Sequence, residues 1–543
     1  MSTWTQIYDP LNNIWLSALI AALPIFCFII CLVGFKMKGY MAGLYSVIVA
    51  IIVAIILAIF VYKMPTTAAV ASAGFGVLSG FYPICTIVIA AIFLYKLTVK
   101  TEQFNVIRDS ISSITNDQRL QVLLIAYSFG AFLEGAAGFG VPVAITAALL
   151  VGMGFNPLKA AGICLVANIA GGAMGAMGIP VTVPAQLTGI DALTVGRQAV
   201  YILPFISIVL PFLLVSMVDG FKGIKETWQG ILVSGVSFAI TQFVVTYFLG
   251  AELTNIFAAV ISMVALALFL RAWQPKSSAK EEKQEEKESH TFNQILYAWS
   301  PFVFLTAFVT IFNLKPIKAL FAPDGPLANL VFNIQFPGLH NQVIKTAPIT
   351  KADIPFAAIF KLDVFSSTTT AIVLAIIVSL IVYRVNGKMI KELMIETIKE
   401  LKVPVYTICS VIALAYVENY SGMSSTLGLA FSSTGNVFPI LSPILGWIGV
   451  FITGSVVSSG SLFAPLQAVT ADQLNIVPST LVSLNVVGGT IAKMVSPQSI
   501  AVACAAVGLV GKESALFKTV MKYSLIFLAI ISLLQLNAVF NIF

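Results

Sequence analysis

The sequence predicts an all-α integral membrane protein: about twelve transmembrane helices plus two re-entrant hairpins in an inverted-topology repeat. Three observations carry that prediction. Of 543 residues, 59% are hydrophobic and 10% charged, against roughly 45–50% and about 25% in soluble domains, so most of the surface must face hydrocarbon. Apolar runs long enough to cross a core of about 30 Å recur along the chain. The two halves match in sequence, yet their basic loops fall on opposite sides.

The expected spans, in order, are 12–35, 41–62, 81–97, 196–217, 227–249, 253–271, 293–313, 365–383, 403–418 and 516–540. Residues 1–10 contain no Lys or Arg, so the first run reads as a span and not as a cleaved signal. Two apolar regions, 120–190 and 437–509, are interrupted by Gly, Pro, Ser and Asn. Each is expected to hold a hairpin (120–152 and 437–472) and a broken helix (157–190 and 475–509), which completes the count of spans. The run 280–288 alternates Lys and Glu and predicts a solvated loop within 273–292. The stretch 314–364 reads as an extramembrane insertion.

Four matches define the repeat. Residues 54–63 resemble 375–384, 82–88 resemble 406–412, 130–135 resemble 449–454, and Asn168-Ile-Ala-Gly-Gly resembles Asn485-Val-Val-Gly-Gly, at offsets of 321, 324, 319 and 317. After the first match, 64–80 has no Lys or Arg while 385–402 carries Lys388, Lys391, Lys399 and Lys402. After the second, 96–119 carries Lys96, Lys100, Arg108 and Arg119 while 419–436 has none. Cytoplasmic loops hold the basic excess, so equivalent loops lie on opposite sides. The expected units are an N-terminal span with a basic loop (1–40), a first repeat (41–217), connecting helices with the two loops (218–364) and a second repeat (365–543). Counting crossings puts both termini outside. Lys36 and Lys38 then fall inside; Lys315, Lys318, Lys345, Lys351 and Lys361 fall outside, in a long loop where the charge rule weakens.

Composition also excludes chemistry. The net charge of +7 sits in short loops and is no nucleic-acid signature. The six cysteines lie in apolar segments without a CxxC pair, and the only histidines, His290 and His340, lie in polar connections. No metal site, disulfide framework, cofactor or catalytic constellation is expected, and no GxxxxGK[ST] motif supports ATP-driven transport.

Unwound backbone in a membrane is tolerated only where it is buried in protein or lines a wet cavity, and in inverted-repeat transporters such breaks build the binding site. The expected tips are 134–142 and 453–461, and the expected breaks 168–180 and 485–499. The candidate substrate residues are Lys493, Asn168, Asn485, Gly171, Gly172, Gly488, Gly489, Thr453, Ser455, Ser458, Ser459, Ser496 and Gln498. Close helix packing is the competing explanation for the glycines. Lys493 could bind a carboxylate. Glu134 could carry a proton, since burial disfavours its charged form. A structural ion pair between the two, or Lys493 snorkelling to an interface, is the alternative. Their counterparts in the other repeat are Ala176 and Thr453. Glu418, Asp363, Asp191 and Arg197 lie near expected helix ends, where solvated positions are the default.

The stretches 485–514, 130–145 and 168–180 resemble the bacterial lactate permease family, and the similarity runs over essentially the whole chain. The resemblance implies proton symport of L-lactate, with D-lactate and glycolate as further substrates, across a bacterial cytoplasmic membrane. The hairpin-and-break plan is also similar to the wider ion-transporter superfamily, which implies a homodimer. A sodium-coupled carboxylate carrier is the rival within transport. An intramembrane enzyme is the rival of another class, and no nucleophile–base or metal constellation supports it.

Overall fold

A computed structural model describes residues 3–34, 39–138, 140–275 and 290–540. Lys36, Lys38, Phe139, the charged run 280–288 and the side chain of Cys31 lie outside the described residues. The chain is mostly helical. Seven described helices are long and apolar enough to cross a membrane, or eight if Pro157–Gly172 and Gly175–Thr188, bent by 51°, form one span. Shorter apolar helices, Ile14–Cys27, Ile48–Phe60 and Thr368–Val382 among them, add to these. Large apolar side chains on the helices face outward, Phe60 at 67% and Ile381 at 69% exposed, as lipid-facing surfaces require.

The expected loop 64–80 is helical. Thr66–Ser79, a π-helical turn Gly80–Cys85 and Thr86–Lys100 form one 35-residue element. Pro65 opens it, and Pro83 follows a break at Tyr82 (φ −122°, ψ 128°). The stretch packs closely at its glycines. A Cβ on Gly76 would lie 2.5 Å from the Ala413 Cα, and one on Gly80 2.9 Å from the Cys409 Cα. The partner is Gly387–Ser421, also 35 residues. Here too an expected loop, 385–402, is helix: Asn386 caps it through the Met389 amide, and its lysines ride on the first turns. The pair is antiparallel, with Gly76 opposite Ala413, Gly80 opposite Cys409, and Cys85 within reach of the Val405 carbonyl. Cys85 and Cys409, repeat equivalents by sequence, have Sγ atoms 3.8 Å apart.

The expected spans 196–217 and 227–249 fall in one element, Leu203–Phe248, broken at Asp219–Gly220. Arg119 sits against this break. It is fully buried and is no solvated loop cation: it pairs with Asp117 (2.7 Å), Asp219 (3.1 Å) and Glu226 (2.6 Å).

The segment 314–364 carries the strands and packs against the helices, with Leu339, Val343, Ala358 and Phe360 buried in a cluster with Phe75 and Tyr420. Val331–Gln335 pairs antiparallel with Ile359–Asp363, while Val343–Lys345 lies between Trp4–Thr5 and Ile354–Pro355. Pairing of Trp4–Thr5 with Val343–Lys345 puts the amino-terminal strand and the insertion at the same end of the molecule.

Both interrupted regions fold as helix–turn–helix units followed by a broken helix. The first turns between Gly130–Ala136 and Val141–Gly152, the second at Gly454–Ser455 between Phe438–Thr453 and Val456–Gln473. The following breaks fall at Ala176–Gly178 and at 493–496.

Candidate functional site

Glu134 and Lys493 meet, although 359 residues separate them. Both are buried, at 2% and 8% exposure. Glu134 is brought by the last turn of Gly130–Ala136, and Lys493 by the 3-10 turn Lys493–Val495. The Lys493 ammonium donates to Glu134 Oε1. Asn168, at the end of Pro157–Ala167, completes the cluster. With its amide turned to satisfy both neighbours, its nitrogen donates to Glu134 Oε2 (3.0 Å) and its oxygen accepts from Lys493 Nζ (3.3 Å). Glycines make the room: a Cβ on Gly175 would lie 2.5 Å from Glu134 Oε1, and one on Gly171 3.0 Å from the Glu134 Cβ.

The pair opens on a cavity of about 70 Å³ that both turns border, lined by Gly175, Ala176, Gly454, Ser455, Gln498 and Ser499. Ala176 walls this cavity, and Met177 and Gly178 continue its left-handed run (φ 42°, 59° and 75°). For Ala and Met such φ values cost of order 1–3 kcal/mol each and persist only where the surroundings fix them. Gly178 is fixed by contact: a Cβ there would lie 2.7 Å from the Ala251 carbonyl carbon. On the far side of this wall a second cavity, of about 720 Å³, is lined by Met177 and Ile179, by Tyr416 and Tyr420, and by the segment 314–364.

The L-lactate permease family model matches residues 17–542. The chain belongs to this family. The permease is 50% identical to the glycolate permease GlcA of Escherichia coli strain K12, over 99% of this chain and 98% of that one. It is 48% identical to the L-lactate permease of Salmonella typhimurium strain LT2, over 98% of each chain. The YdaH transporter of Alcanivorax borkumensis aligns over 99% of both chains at 14% identity, with a TM-score of 0.44. The permease is a multi-pass bacterial membrane transporter and not an enzyme.

Of the residues expected at the site, Glu134, Lys493, Gly172, Ser455 and Gln498 line the small cavity, and Asn168 bonds to its ion pair. Others do different work. A Cβ on Gly488 would lie 2.0 Å from the Pro443 carbonyl oxygen and one on Gly489 2.8 Å from Val450, so both sit at close helix contacts. Gly171 seats the Glu134 stem. Thr453 donates to the Gly449 carbonyl (2.7 Å), Ser459 to the Gly446 carbonyl (3.1 Å) and Ser496 to Ser499 (2.9 Å). These hydroxyls shape turns and helix contacts. The Ser458 amide donates to the Ser455 hydroxyl, which caps its helix. Asn485 is buried against Gly446, and its amide atoms have no hydrogen-bond partner among the described residues.

Glu418 is not solvated. The helix continues to Ser421, so Glu418 is buried within it, and neither carboxyl oxygen has a hydrogen-bond partner among the described residues. Asp191 caps Ala192–Ala199 through the Thr194 amide (3.0 Å), and Arg197 donates to the Tyr247 carbonyl (3.0 Å). Asp363 binds the Ser366 amide (2.9 Å) and lines the large cavity.

Gly175 and Ser499, which line the small cavity, fall within the expected breaks 168–180 and 485–499 but are not among the candidate residues. Sequence reasoning missed Asn255, whose amide donates to the Gly171 carbonyl at 2.7 Å. It also missed the large cavity, which joins residues far apart in sequence.

Proposed function

We propose that the permease takes up L-lactate, with D-lactate and glycolate as further substrates, together with a proton across the cytoplasmic membrane. The observation that carries this is the buried Lys493–Glu134 pair facing a small cavity. The relatives' names, L-lactate permease and glycolate permease, supply the substrate class. One water needs about 10–15 Å³ on the same volume scale, so about 70 Å³ is room for a few waters or one small molecule.

The pair explains coupling. A substrate carboxylate entering the cavity competes with Glu134 for the Lys493 ammonium. Once displaced, Glu134 would be a bare buried carboxylate, which is strongly disfavoured, and a proton removes its charge. The cavity is then neutral both empty, as Glu⁻ with Lys⁺, and loaded, as neutral Glu with Lys⁺ and the substrate anion. Asn168 can serve both states, because its amide offers a donor and an acceptor.

The architecture we infer is about twelve spans and two re-entrant hairpins in an inverted repeat. Two equal 35-residue helices, Thr66–Lys100 and Gly387–Ser421, start 321 residues apart and pack antiparallel, which supports a two-fold relation lying in the membrane plane. Ala176 and Lys493, equivalent by sequence, both line the small cavity.

The purified protein in liposomes tests the coupling. An imposed inward proton gradient, at clamped voltage and without sodium, should drive accumulation of labelled L-lactate. Uptake driven by a sodium gradient and indifferent to pH would overturn the reading.

A further inference from the structure

On the expected topology the lysines of segment 314–364 lie outside, against the cytoplasmic bias of basic residues, and three of them, Lys318, Lys345 and Lys361, line the large cavity. Two acids share its wall. Asp363 is occupied by Ser366. Glu252, in the turn between Leu203–Phe248 and Thr254–Ala272, is held above the usual carboxylate range by burial. The Lys345 ammonium rests over the Phe356 ring, 3.6 Å from its centroid. Among the described residues no carboxylate lies within ion-pairing distance of Lys318, Lys345 or Lys361. The cavity thus carries excess positive charge on a partly buried wall, where a fixed cation attracts anions more strongly than in open water. It ends one residue from the inner site: Met177 lines the large cavity and Ala176 the small one.

We propose that this cavity is an outer entry site. The substrate carboxylate binds first at Lys345, with Lys318 and Lys361 concentrating anions around it, and then passes the Ala176–Gly178 wall to Lys493. The proposal rests on the transport reading above.

Liposomes containing the full-length protein test it. Lys345→Gln should raise KM for L-lactate about five-fold or more at low salt with little change in maximal rate, and should flatten the rise of KM with ionic strength. Lys345→Arg should restore both. Lys351→Gln, on the same segment but away from the cavity, should match wild type. A second measurement needs no variant. Lys345 is held down to about 8 by burial, so it should react with an amine acylating reagent at neutral pH, and L-lactate should slow acylation at Lys345 but not at Lys351, read by mass spectrometry. A wild-type KM and salt dependence in Lys345→Gln, or acylation of Lys345 that L-lactate leaves unchanged, would overturn the entry site while leaving transport intact. Absence of lactate uptake by the wild-type protein would instead overturn the transport reading, and the entry site with it.

Discussion

At the scale of single residues, the site is governed by how few partners a buried charge has. Lys493 has Glu134 and Asn168. Removing one member of such a pair leaves the other uncompensated, which typically costs about 3–5 kcal/mol, whereas neutralising both costs far less. Lys493→Ala should therefore lose substrate-protected binding and lower the melting temperature, and adding Glu134→Gln should recover most of the thermal loss without recovering binding. Unchanged lactate affinity in Lys493→Ala would rule out its role as carboxylate ligand. Lys345 makes a pH prediction. With its ammonium held down to about 8 by burial, it is a cation below that pH and neutral above it. The ionisable groups around it are Tyr8 and Asp353, next to the strands it pairs with, and Glu252, Lys318, Lys361, Asp363 and Tyr420 of the cavity. Raising the pH from 7 to 9 should increase KM more steeply in wild type than in Lys345→Arg, whose guanidinium stays charged, the rise common to both reflecting proton uptake at Glu134. The two charges at the site were legible in the sequence because an intramembrane charge is conspicuous. Their pairing was not, because nothing local links positions 134 and 493. Gly175 stayed hidden for the opposite reason: its role is to have no side chain.

At the scale of elements, breaks were legible and continuity was not. Gly, Pro and Ser clusters marked both helix–turn–helix units and both broken helices, since these residues interrupt helices by mechanisms visible one residue at a time. The stretches 64–80 and 385–402 were expected to be loops from their charge bias, yet both are helix. Charge reports the side of the membrane, not the backbone conformation, and a helix extending past the bilayer carries loop-like charges. The small residues of Thr66–Ser79 serve its contact with Gly387–Ser421. Gly76→Ala places a methyl 2.5 Å from the Ala413 Cα, so one backbone must shift, at a cost of about 1–3 kcal/mol. Gly152→Ala, at a position with nothing within 4 Å, serves as the control and should leave the melting temperature within about 1 °C, as near-neutral surface substitutions do. Equal melting temperatures for the two variants would contradict the close approach.

At the scale of the whole molecule, the inferred repeat assigns different jobs to equivalent places. Ala176 and Lys493 line the small cavity from opposite halves, and Glu134 has Thr453 as its counterpart, so a symmetric scaffold carries one acid and one base. That asymmetry sets which carrier states can cross a low-dielectric barrier. Under the proposed coupling, the empty and the fully loaded wild-type carriers are both neutral at the site. In Glu134→Gln the loaded carrier is still neutral, as Lys⁺ with the substrate anion, but the empty carrier holds an unpaired Lys⁺, which is costly within the membrane. The loaded form should reorient and the empty form should stall. Glu134→Gln in liposomes should therefore exchange external labelled lactate for internal lactate at a rate within about ten-fold of wild type, yet accumulate none under a proton gradient. Wild-type net uptake at zero pH difference should be insensitive to an imposed membrane potential, because the substrate anion and its proton cross together with no net charge. Net proton-driven accumulation by Glu134→Gln would move the proton to another carboxyl, with Glu418, buried and without a hydrogen-bond partner among the described residues, the next to substitute.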